Sequence, residues 1–190
     1  MTRMTREQSQ ANTRSRLLSV AQQHFARYGY AASSLDRIAD EAGFSKGAVY
    51  SNFSGKDDLF LGVLEAHTHA TVAEVLDELK DASDIEEAIE RIAAWATRNS
   101  RLGNWPMLVL EYARVAAPED NFRKQQEKIL RAQWKALGRL LLALDDSPDL
   151  KPEILGALVF ELTYAPAMSF VSKPTSGDLL RVALRGVFGK

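Results

Sequence analysis

Two short helical segments, each opened by a serine and separated by a glycine, are the strongest constraint on how this chain can fold. Ser34 and Ser45 are residue types that favour the N-cap of a helix, and Gly43 suits the left-handed conformation that often ends one. Most helices in globular proteins are longer than either segment. Two capped short helices with a sharp turn between them therefore predict a helix-turn-helix over residues 34–53, in which the first helix supports the second.

The second short segment carries small or polar residues, as a recognition helix must, because its backbone has to lie deep in a DNA major groove about 12 Å wide. Lys46 has donors suited to guanine O6 and N7, and Ala48 suits a thymine methyl group. Ser51 and Asn52 have the chemistry to contact a base edge or a phosphate. Gly47 lowers helix stability by about 0.8–1.0 kcal/mol relative to alanine, a cost that close approach of the backbone to DNA would explain.

The charge of the chain is distributed unevenly, although its net charge is only −1. Residues 1–56 carry eight basic and four acidic side chains, a net charge of +4, whereas the remaining residues carry 16 basic and 21 acidic ones, a net charge of −5. This asymmetry is typical of a protein in which one module meets phosphate groups, and an uneven solvated surface explains it as well. Arg3 and Arg6 have the chemistry of an arm that enters a minor groove, but a disordered tail is the simpler interpretation.

Apolar residues recur at helical spacing along the chain, and the alternating runs typical of β-strands do not occur. We therefore expect an all-α fold of about nine helices. It begins with a three-helix DNA-binding domain that contains the helix-turn-helix, residues 1–56, and continues with a larger helical domain, residues 57–190. Pro118 suits the first turn of a long helix in the second domain.

The run from residue 33 to residue 59 resembles the TetR family of repressors. That family has an Ile-Ala pair, an Ala-Gly-aliphatic-Ser turn, an aliphatic-Tyr pair and a His-Phe pair, with a lysine three residues after the phenylalanine. The corresponding residues here are Ile38-Ala39, Ala42-Gly43-Phe44-Ser45, Val49-Tyr50, Asn52-Phe53 and Lys56. The match covers about a quarter of the chain, and its density makes it a specific signal.

The resemblance implies two kinds of DNA contact. Ser34, Tyr50 and Lys56 are expected to contact phosphates, whereas residues 46–48 and Ser51 are expected to face bases. Together with the N-cap of the recognition helix and the asparagine that follows it, the expected DNA-binding residues are Ser34, Ser45, Lys46, Gly47, Ala48, Tyr50, Ser51, Asn52 and Lys56.

Three residues depart from the family pattern. Asn52 stands where a histidine is common, Ala48 lacks a hydroxyl group that often contacts a base, and Phe44 replaces a smaller aliphatic residue in the turn. Structural alternatives also remain for two of the expected contacts. Tyr50 would in that case cover the core of the helix-turn-helix, and Lys56 would be a solvated residue at a helix start.

For the larger domain, the resemblance implies a small-molecule pocket and a dimer interface formed by the last two helices. Aromatic side chains with a polar group suit an apolar ligand held by a few polar contacts. The pocket candidates are Trp95, Trp105, Tyr112, Trp134, Phe160 and Tyr164. The interface candidates are Leu155, Leu158, Leu162, Leu180 and Val187. Burial in an internal core is the alternative for both sets.

No residue pattern points to catalysis or to a metal. Cysteine is absent, which excludes thiolate chemistry and fits a reducing cytoplasm. His67 and His69 lie two residues apart in a helical segment, so they point to different faces and do not share a metal ion. The apolar stretch of residues 154–171 contains Glu161 and Pro166, which favours a buried helix over a membrane span. We expect no enzyme activity, no cofactor, no metal, no membrane partner and a cytoplasmic location.

The function that these patterns favour is a TetR-like DNA-binding transcriptional regulator. We expect a homodimeric repressor that is released from a palindromic operator on double-stranded DNA by a small-molecule effector of unknown identity. The alternative is an all-α ligand-binding or interaction protein with a vestigial helix-turn-helix.

Overall fold

The computed structural model describes residues 5–100, 104–115, 120–146, 148–169 and 172–189. These residues are helical and contain no strand, which confirms the all-α prediction for the described part of the chain. Arg3 and Pro118, and the side chain of Arg6, lie outside what is described. The nine described helices are α1 Arg6–Tyr28, α2 Leu35–Ala42, α3 Lys46–Tyr50, α4 Lys56–Leu79, α5 Ile85–Asn99, α6 Trp105–Val115, α7 Asp120–Leu144, α8 Pro152–Ser169 and α9 Ser176–Phe188.

The chain forms two compact units. The first comprises Met1–His67 and Met107–Pro118, and the second comprises Thr68–Pro106 and Glu119–Lys190. The predicted boundary after residue 56 does not coincide with this division. The first unit also contains Phe60 of α4 and Tyr112 of α6, whose rings stack on each other with their centroids 4.7 Å apart.

Aromatic side chains form much of the core of the first unit. The Phe25 ring meets the Phe60 ring edge to face, with centroids 5.1 Å apart, and the Tyr30 ring meets the Tyr112 ring in the same way at 5.0 Å. Edge-to-face pairs of this kind contribute beyond the apolar area that they bury. The cluster therefore joins α1, α4 and α6 around the residues that lead into the helix-turn-helix.

The core of the second unit lies among α5, α7, α8 and α9. Its fully buried residues include Ile89 and Ile92 of α5, Leu141 of α7, Leu155 of α8 and Leu180 of α9. The predicted buried helix in the apolar stretch after residue 154 corresponds to α8. Of the helices in the described ranges, none combines the length and the apolar character that crossing a membrane requires.

Two glycines allow α7 and α8 to approach each other closely. A Cβ atom added at Gly138 would overlap the carbonyl group of Pro152, and one added at Gly156 would overlap the carbonyl group of Trp134. Both obstacles are backbone groups, which cannot move aside as the end of a flexible side chain does. These two glycines therefore permit the short distance between the two helices.

We predict that Gly156→Ala lowers the free energy of unfolding by about 1–3 kcal/mol, because the added methyl group meets the backbone of α7. Gly47→Ala is the control, since Gly47 is also helical and a Cβ atom there would lie 3.9 Å from its nearest neighbour, the Ser45 hydroxyl. That change is expected to raise the free energy of unfolding by up to about 1 kcal/mol. Urea unfolding followed by circular dichroism measures both. Equal effects of the two substitutions would contradict the close approach.

Candidate nucleic-acid interface

The turn between α2 and α3 has the geometry that its sequence predicts. Gly43 ends α2 in the left-handed conformation, with φ 70° and ψ 30°. The next amide, that of Phe44, donates to the carbonyl oxygen of Ala39 at 3.0 Å and closes the helix end. Ser45 then opens α3, and its Oγ accepts from the amide of Ala48 at 3.2 Å. Only three residues, Gly43, Phe44 and Ser45, thus separate α2 from α3.

Helix α3 is only five residues long, so it depends on what lies beneath it. Val49 and Phe53 are buried under the helix and its C-terminal end, together with Ile38 and Ala39 of α2. With one side of α3 held in this way, the other side is left to solvent. Lys46, Gly47, Tyr50 and Ser51 are exposed there, whereas Ala48 is half-buried.

Lys46 is held by an ion pair. Its Nζ donates to a carboxylate oxygen of Asp36 in α2 at 2.5 Å, and both side chains are exposed. The hydrogen bond to Asp36 and the charge of that carboxylate raise the pKa of Lys46, which keeps the lysine charged. Exposed ion pairs contribute at most about 1 kcal/mol. A phosphate or a guanine can therefore replace Asp36 as the partner of Lys46 at small cost.

Tyr50 is the most prominent apolar side chain on this face, with 56% of its surface exposed. The alternative in which Tyr50 covers the core does not describe this conformation, since a ring that covers the core would be mostly buried. Ser34 and Ser45 are also exposed, and their Oγ atoms accept from the amides of Arg37 and Ala48. Each hydroxyl retains its own hydrogen for donation to a phosphate.

Asn52 and Ser51 are turned back onto α3. The Asn52 Nδ2 donates to the carbonyl oxygen of Ala48 at 2.8 Å, and the Ser51 Oγ donates to the same oxygen at 2.9 Å. Asn52 is half-buried, and its backbone carbonyl oxygen accepts from Arg14 Nη1 at 2.8 Å. In this conformation Asn52 is part of the support of α3, since its Nδ2 is bonded to Ala48.

Arg14 is a supporting residue that the sequence reasoning missed. Its guanidinium lies 4.3 Å from the centroid of the Phe53 ring while it donates to Asn52, so it holds the C-terminal end of α3 against α1. A signal for it is present in the sequence. Arg14 stands three and four residues before Leu17 and Leu18, which places a charged residue on the face of α1 that is otherwise apolar.

Lys56 has structural partners in addition to its predicted role as a phosphate clamp. Its Nζ donates to the carbonyl oxygens of Tyr30 at 3.0 Å and Ser33 at 3.1 Å, and it lies 4.2 Å from the centroid of the Tyr30 ring. It is therefore not simply a solvated residue at a helix start. Because an ammonium group has three N–H donors, one remains for a phosphate, and that contact stays a prediction.

Two carboxylates, in addition to Lys56, form hydrogen bonds with the loop between α1 and α2. The Tyr30 hydroxyl donates to the carboxylate of Asp57, and burial together with that hydrogen bond raises the pKa of Tyr30. The carboxylate of Glu111 in α6 accepts from the amide of Tyr30 at 3.0 Å and from the amide of Ala31 at 2.9 Å. A helix some eighty residues further along the chain is therefore part of the module that carries the helix-turn-helix.

Comparison with known proteins agrees with this geometry. The profile of the family described as "Bacterial regulatory proteins, tetR family" matches residues 17–63, which include α2 and α3. The helix-turn-helix module belongs to the tetR family. The resemblance that the sequence suggested is thus confirmed for this part of the chain.

Two curated relatives share sequence with part of this chain. The transcriptional activator FasR of Mycolicibacterium smegmatis is 41% identical over 71 residues, which are 37% of this chain and 32% of FasR. The transcriptional repressor SCO4008 of Streptomyces coelicolor is 31% identical over 116 residues, which are 60% of this chain and 58% of that protein. The chain thus matches about a third to somewhat more than half of the length of these relatives.

One solved structure extends the likeness to nearly the whole chain. It is a putative transcriptional regulator from Saccharomonospora viridis in complex with choline, with a TM-score of 0.68 over 93% of this chain and 95% of that one. The sequences are 18% identical, so this likeness shows the fold alone.

The pocket candidates separate into three places. Trp95, Trp134, Phe160 and Tyr164 line one small cavity in the second unit, whereas Trp105 is buried but is not part of that lining. Tyr112 belongs to the aromatic cluster of the first unit and does not line this cavity, so a pocket role for it stays a prediction. Helical spacing indicated that Tyr112 is inward-facing, but it does not indicate which core a residue enters.

The candidates for the dimer interface fall into a fully buried group and a half-buried group. Leu155 and Leu180 are fully buried in the core of their own chain, so the prediction that they contact a partner is corrected. Leu158, Leu162 and Val187 are half-buried at the edge of that core and stay candidates. Among the residues that the structure describes, no group of three or more His, Asp or Glu side chains is arranged to hold a metal ion.

We predict that Lys56→Met lowers the free energy of unfolding by about 1.5–3 kcal/mol, because it removes a charged donor from the carbonyl groups of Tyr30 and Ser33. Lys80→Met is the control, since the ammonium of Lys80 is exposed and pairs with Asp77 on the surface. Removing this exposed charge is expected to change the free energy of unfolding much less than Lys56→Met does. Thermal unfolding monitored by circular dichroism compares the two variants, and equal losses would show that Lys56 does not support the loop.

Proposed function

We propose that the chain is a DNA-binding transcriptional regulator that reads an operator with α3. The single observation that carries the proposal is a capped five-residue helix that is anchored from behind by Val49 and Phe53 while its outer side chains are exposed. This is the arrangement that lets a helix enter a major groove. The tetR-family profile over the same residues supports the proposal, as does the net charge of +4 over residues 1–56.

Lys46 is the proposed base-reading residue, and it exchanges Asp36 for a guanine on binding. Tyr50, with the hydroxyl groups of Ser34 and Ser45, contacts phosphates and sets the position of α3 along the groove. Gly47 lets the backbone approach the bases closely. We propose repression as the outcome, which the repressor SCO4008 supports, although FasR is an activator.

A homodimer is the proposed active form, because one five-residue helix contacts too few base pairs to select an operator. Its interface is formed by the outer faces of α8 and α9. Ile154 and Val182 support this choice, since 53% and 75% of their surfaces are exposed although both are large apolar residues. Leu158 and Leu162 follow Ile154 at four-residue spacing on α8 and, like Val187 of α9, are half-buried. Two copies of α3 would then enter grooves roughly 34–36 Å apart.

We further propose that a small molecule bound in the second unit changes the affinity for DNA. The cavity among Trp95, Trp134, Phe160 and Tyr164 is the proposed site, and the choline complex of the Saccharomonospora viridis regulator supports ligand binding by this fold. Helices α4 and α6 each contribute residues to both units, so each is a covalent connection between them. The ligand weakens DNA binding only to the extent that it prefers the conformation that does not bind DNA.

The alternative, an interaction protein with a vestigial helix-turn-helix, has less support. Tyr50 and Lys46 are exposed above a buried core, so in a vestigial module neither side chain would have a function. The alternative predicts that the purified chain does not bind DNA at moderate salt, which the following comparison tests directly.

We predict that Lys46→Ala weakens binding to a selected operator by about tenfold or more and weakens binding to scrambled DNA much less, because a lost base contact reduces discrimination. Lys80→Ala is the control, since it removes the same charge from an exposed lysine of the second unit. Asp36→Asn is expected to strengthen binding to both DNA sequences, because it removes a negative charge beside Lys46. Fluorescence polarisation at several salt concentrations measures all three. Indistinguishable behaviour of Lys46→Ala and Lys80→Ala would refute the role of Lys46.

We predict that Val182→Asp converts the dimer into a monomer, because it places a charge in the centre of the proposed apolar interface. Ala132→Asp introduces the same side chain at an exposed position of α7 and is expected to leave the dimer intact. Sedimentation equilibrium distinguishes the two states. A wild-type protein that sediments as a monomer at all concentrations would exclude the proposed interface.

A further inference from the structure

Three side chains that line the cavity of the second unit carry a buried polar atom without a hydrogen-bond partner. They are the indole Nε1 atoms of Trp95 and Trp134 and the amide Oε1 of Gln133. Trp95 is 4% exposed and Gln133 is 7% exposed. Buried polar groups are nearly always paired in folded proteins, so three that line one cavity indicate that something else pairs with them.

The other polar groups of the lining are already engaged. The Thr163 Oγ1 donates to the carbonyl oxygen of Val159 at 2.8 Å, and Tyr164 is hydrogen-bonded to Thr71. The amide nitrogen of Gln133 lies 3.3 Å from Nδ1 of His69, which leaves its Oε1 as the unpaired atom. The one unpaired acceptor of the lining, the Gln133 Oε1, accepts from neither indole N–H group in this structure.

The cavity has a volume of about 20 Å³. This volume is enough for one water molecule, which would pair with some of the three unpaired polar atoms. It is far below the roughly 300–1,000 Å³ of pockets that hold drug-sized ligands. Trp134, Phe160 and Tyr164 are half-buried and form the more exposed part of the lining. A ligand larger than water therefore has to displace these rings from their present positions.

The lining also determines what charge a ligand can carry. Its eleven residues include no ionised side chain, and burial raises the pKa of Tyr164, as expected of surroundings that disfavour charge. An anion would leave water without a counter-charge here, and the charge of Glu74, which also acts on Tyr164, would repel it. A cation would be attracted by the faces of the aromatic rings, but it would leave the three unpaired groups without two acceptors for the indole N–H donors.

We infer that the effector is an uncharged, mainly apolar compound that offers hydrogen-bond acceptors to Trp95 and Trp134 and a donor to Gln133, as a primary or secondary amide does. This inference rests on the proposed effector site. It adds the chemical class of the ligand and the three groups that recognise it. The ring of such a compound packs among Phe160, Val72 and Leu137, which are also part of the lining.

Four probes that share a phenyl ring test the chemical class. Benzamide is neutral with a donor and an acceptor, benzoate is an anion, benzylammonium is a cation, and toluene has no polar group. Each is titrated at millimolar concentrations, the range expected for ligands of this size, into the full chain labelled with ¹⁵N. The resonances of the three indole Nε1–H groups, of Trp95, Trp105 and Trp134, report hydrogen bonding directly.

We expect benzamide to shift the indole resonances of Trp95 and Trp134, to leave that of Trp105 unchanged, and to bind more tightly than the other three probes. Trp95→Phe and Trp134→Phe each remove one N–H donor but keep an aromatic ring, and each should weaken benzamide binding by about tenfold. Trp105→Phe is the matched control, because Trp105 is equally buried but does not line the cavity. It should leave benzamide affinity unchanged.

Two results would overturn the inference. If benzamide shifts neither resonance, the two indole N–H groups do not bind an amide and the ligand class is wrong. If benzoate or benzylammonium binds as tightly as benzamide, the ligand class is wrong. Both results are obtained without DNA, so they are distinct from a failure of the proposed function, which would appear as absent DNA binding by the unliganded protein.

Discussion

The burial of Val49 and Phe53 beneath α3 is the constraint on which the rest of the interface depends. A five-residue helix is unstable in isolation, because forming its first turn fixes several residues for very few hydrogen bonds. Each fully buried apolar side chain of this size contributes about 1.5–3 kcal/mol, which is enough to hold so short a helix in place. The caps at Ser45 and the carbonyl of Ala48 complete the hydrogen bonding at its two ends. With one side fixed, the opposite side is free to carry side chains chosen for DNA.

The support of α3 extends to residues remote in sequence. Arg14 holds its C-terminal end, Lys56 binds the carbonyl groups of the loop before α2, and Glu111 accepts from the amides of the same loop. Charged side chains that pair with backbone groups make stronger hydrogen bonds than neutral ones. Because Glu111 lies in α6, the orientation of α2 and α3 depends on a helix outside the region that the tetR profile matches. A change in α6 would therefore reach the proposed DNA-binding residues through two hydrogen bonds.

The sequence was sufficient where the signal is local. A serine before an apolar helical repeat and a glycine after it predict the helix caps at Ser34, Gly43 and Ser45. The prediction succeeds because the chemistry of a cap involves only neighbouring backbone groups. The helical fold followed from apolar spacing for the same reason. Those local signals also placed α3 and the outward direction of Lys46.

The sequence was insufficient where partners are distant. Periodicity showed that Tyr112 and Leu155 face inward, but not that Tyr112 enters the core of the first unit or that Leu155 is enclosed by its own chain. The partners of Lys56 are backbone carbonyl groups, which no residue identity reveals. The three unpaired polar groups around the cavity could not be predicted from the sequence either, since a missing hydrogen bond is a property of three-dimensional packing.

The most direct test of the central claim, that two copies of an exposed α3 read DNA, is selection of binding sites from a random duplex library by the wild-type protein. The selected sequences are expected to form a palindrome whose half-site centres are separated by about one helical turn, roughly 10 base pairs, or a multiple of it. A selected site without two-fold symmetry would contradict the dimeric arrangement. A library that shows no enrichment after repeated rounds would contradict DNA recognition by α3 altogether.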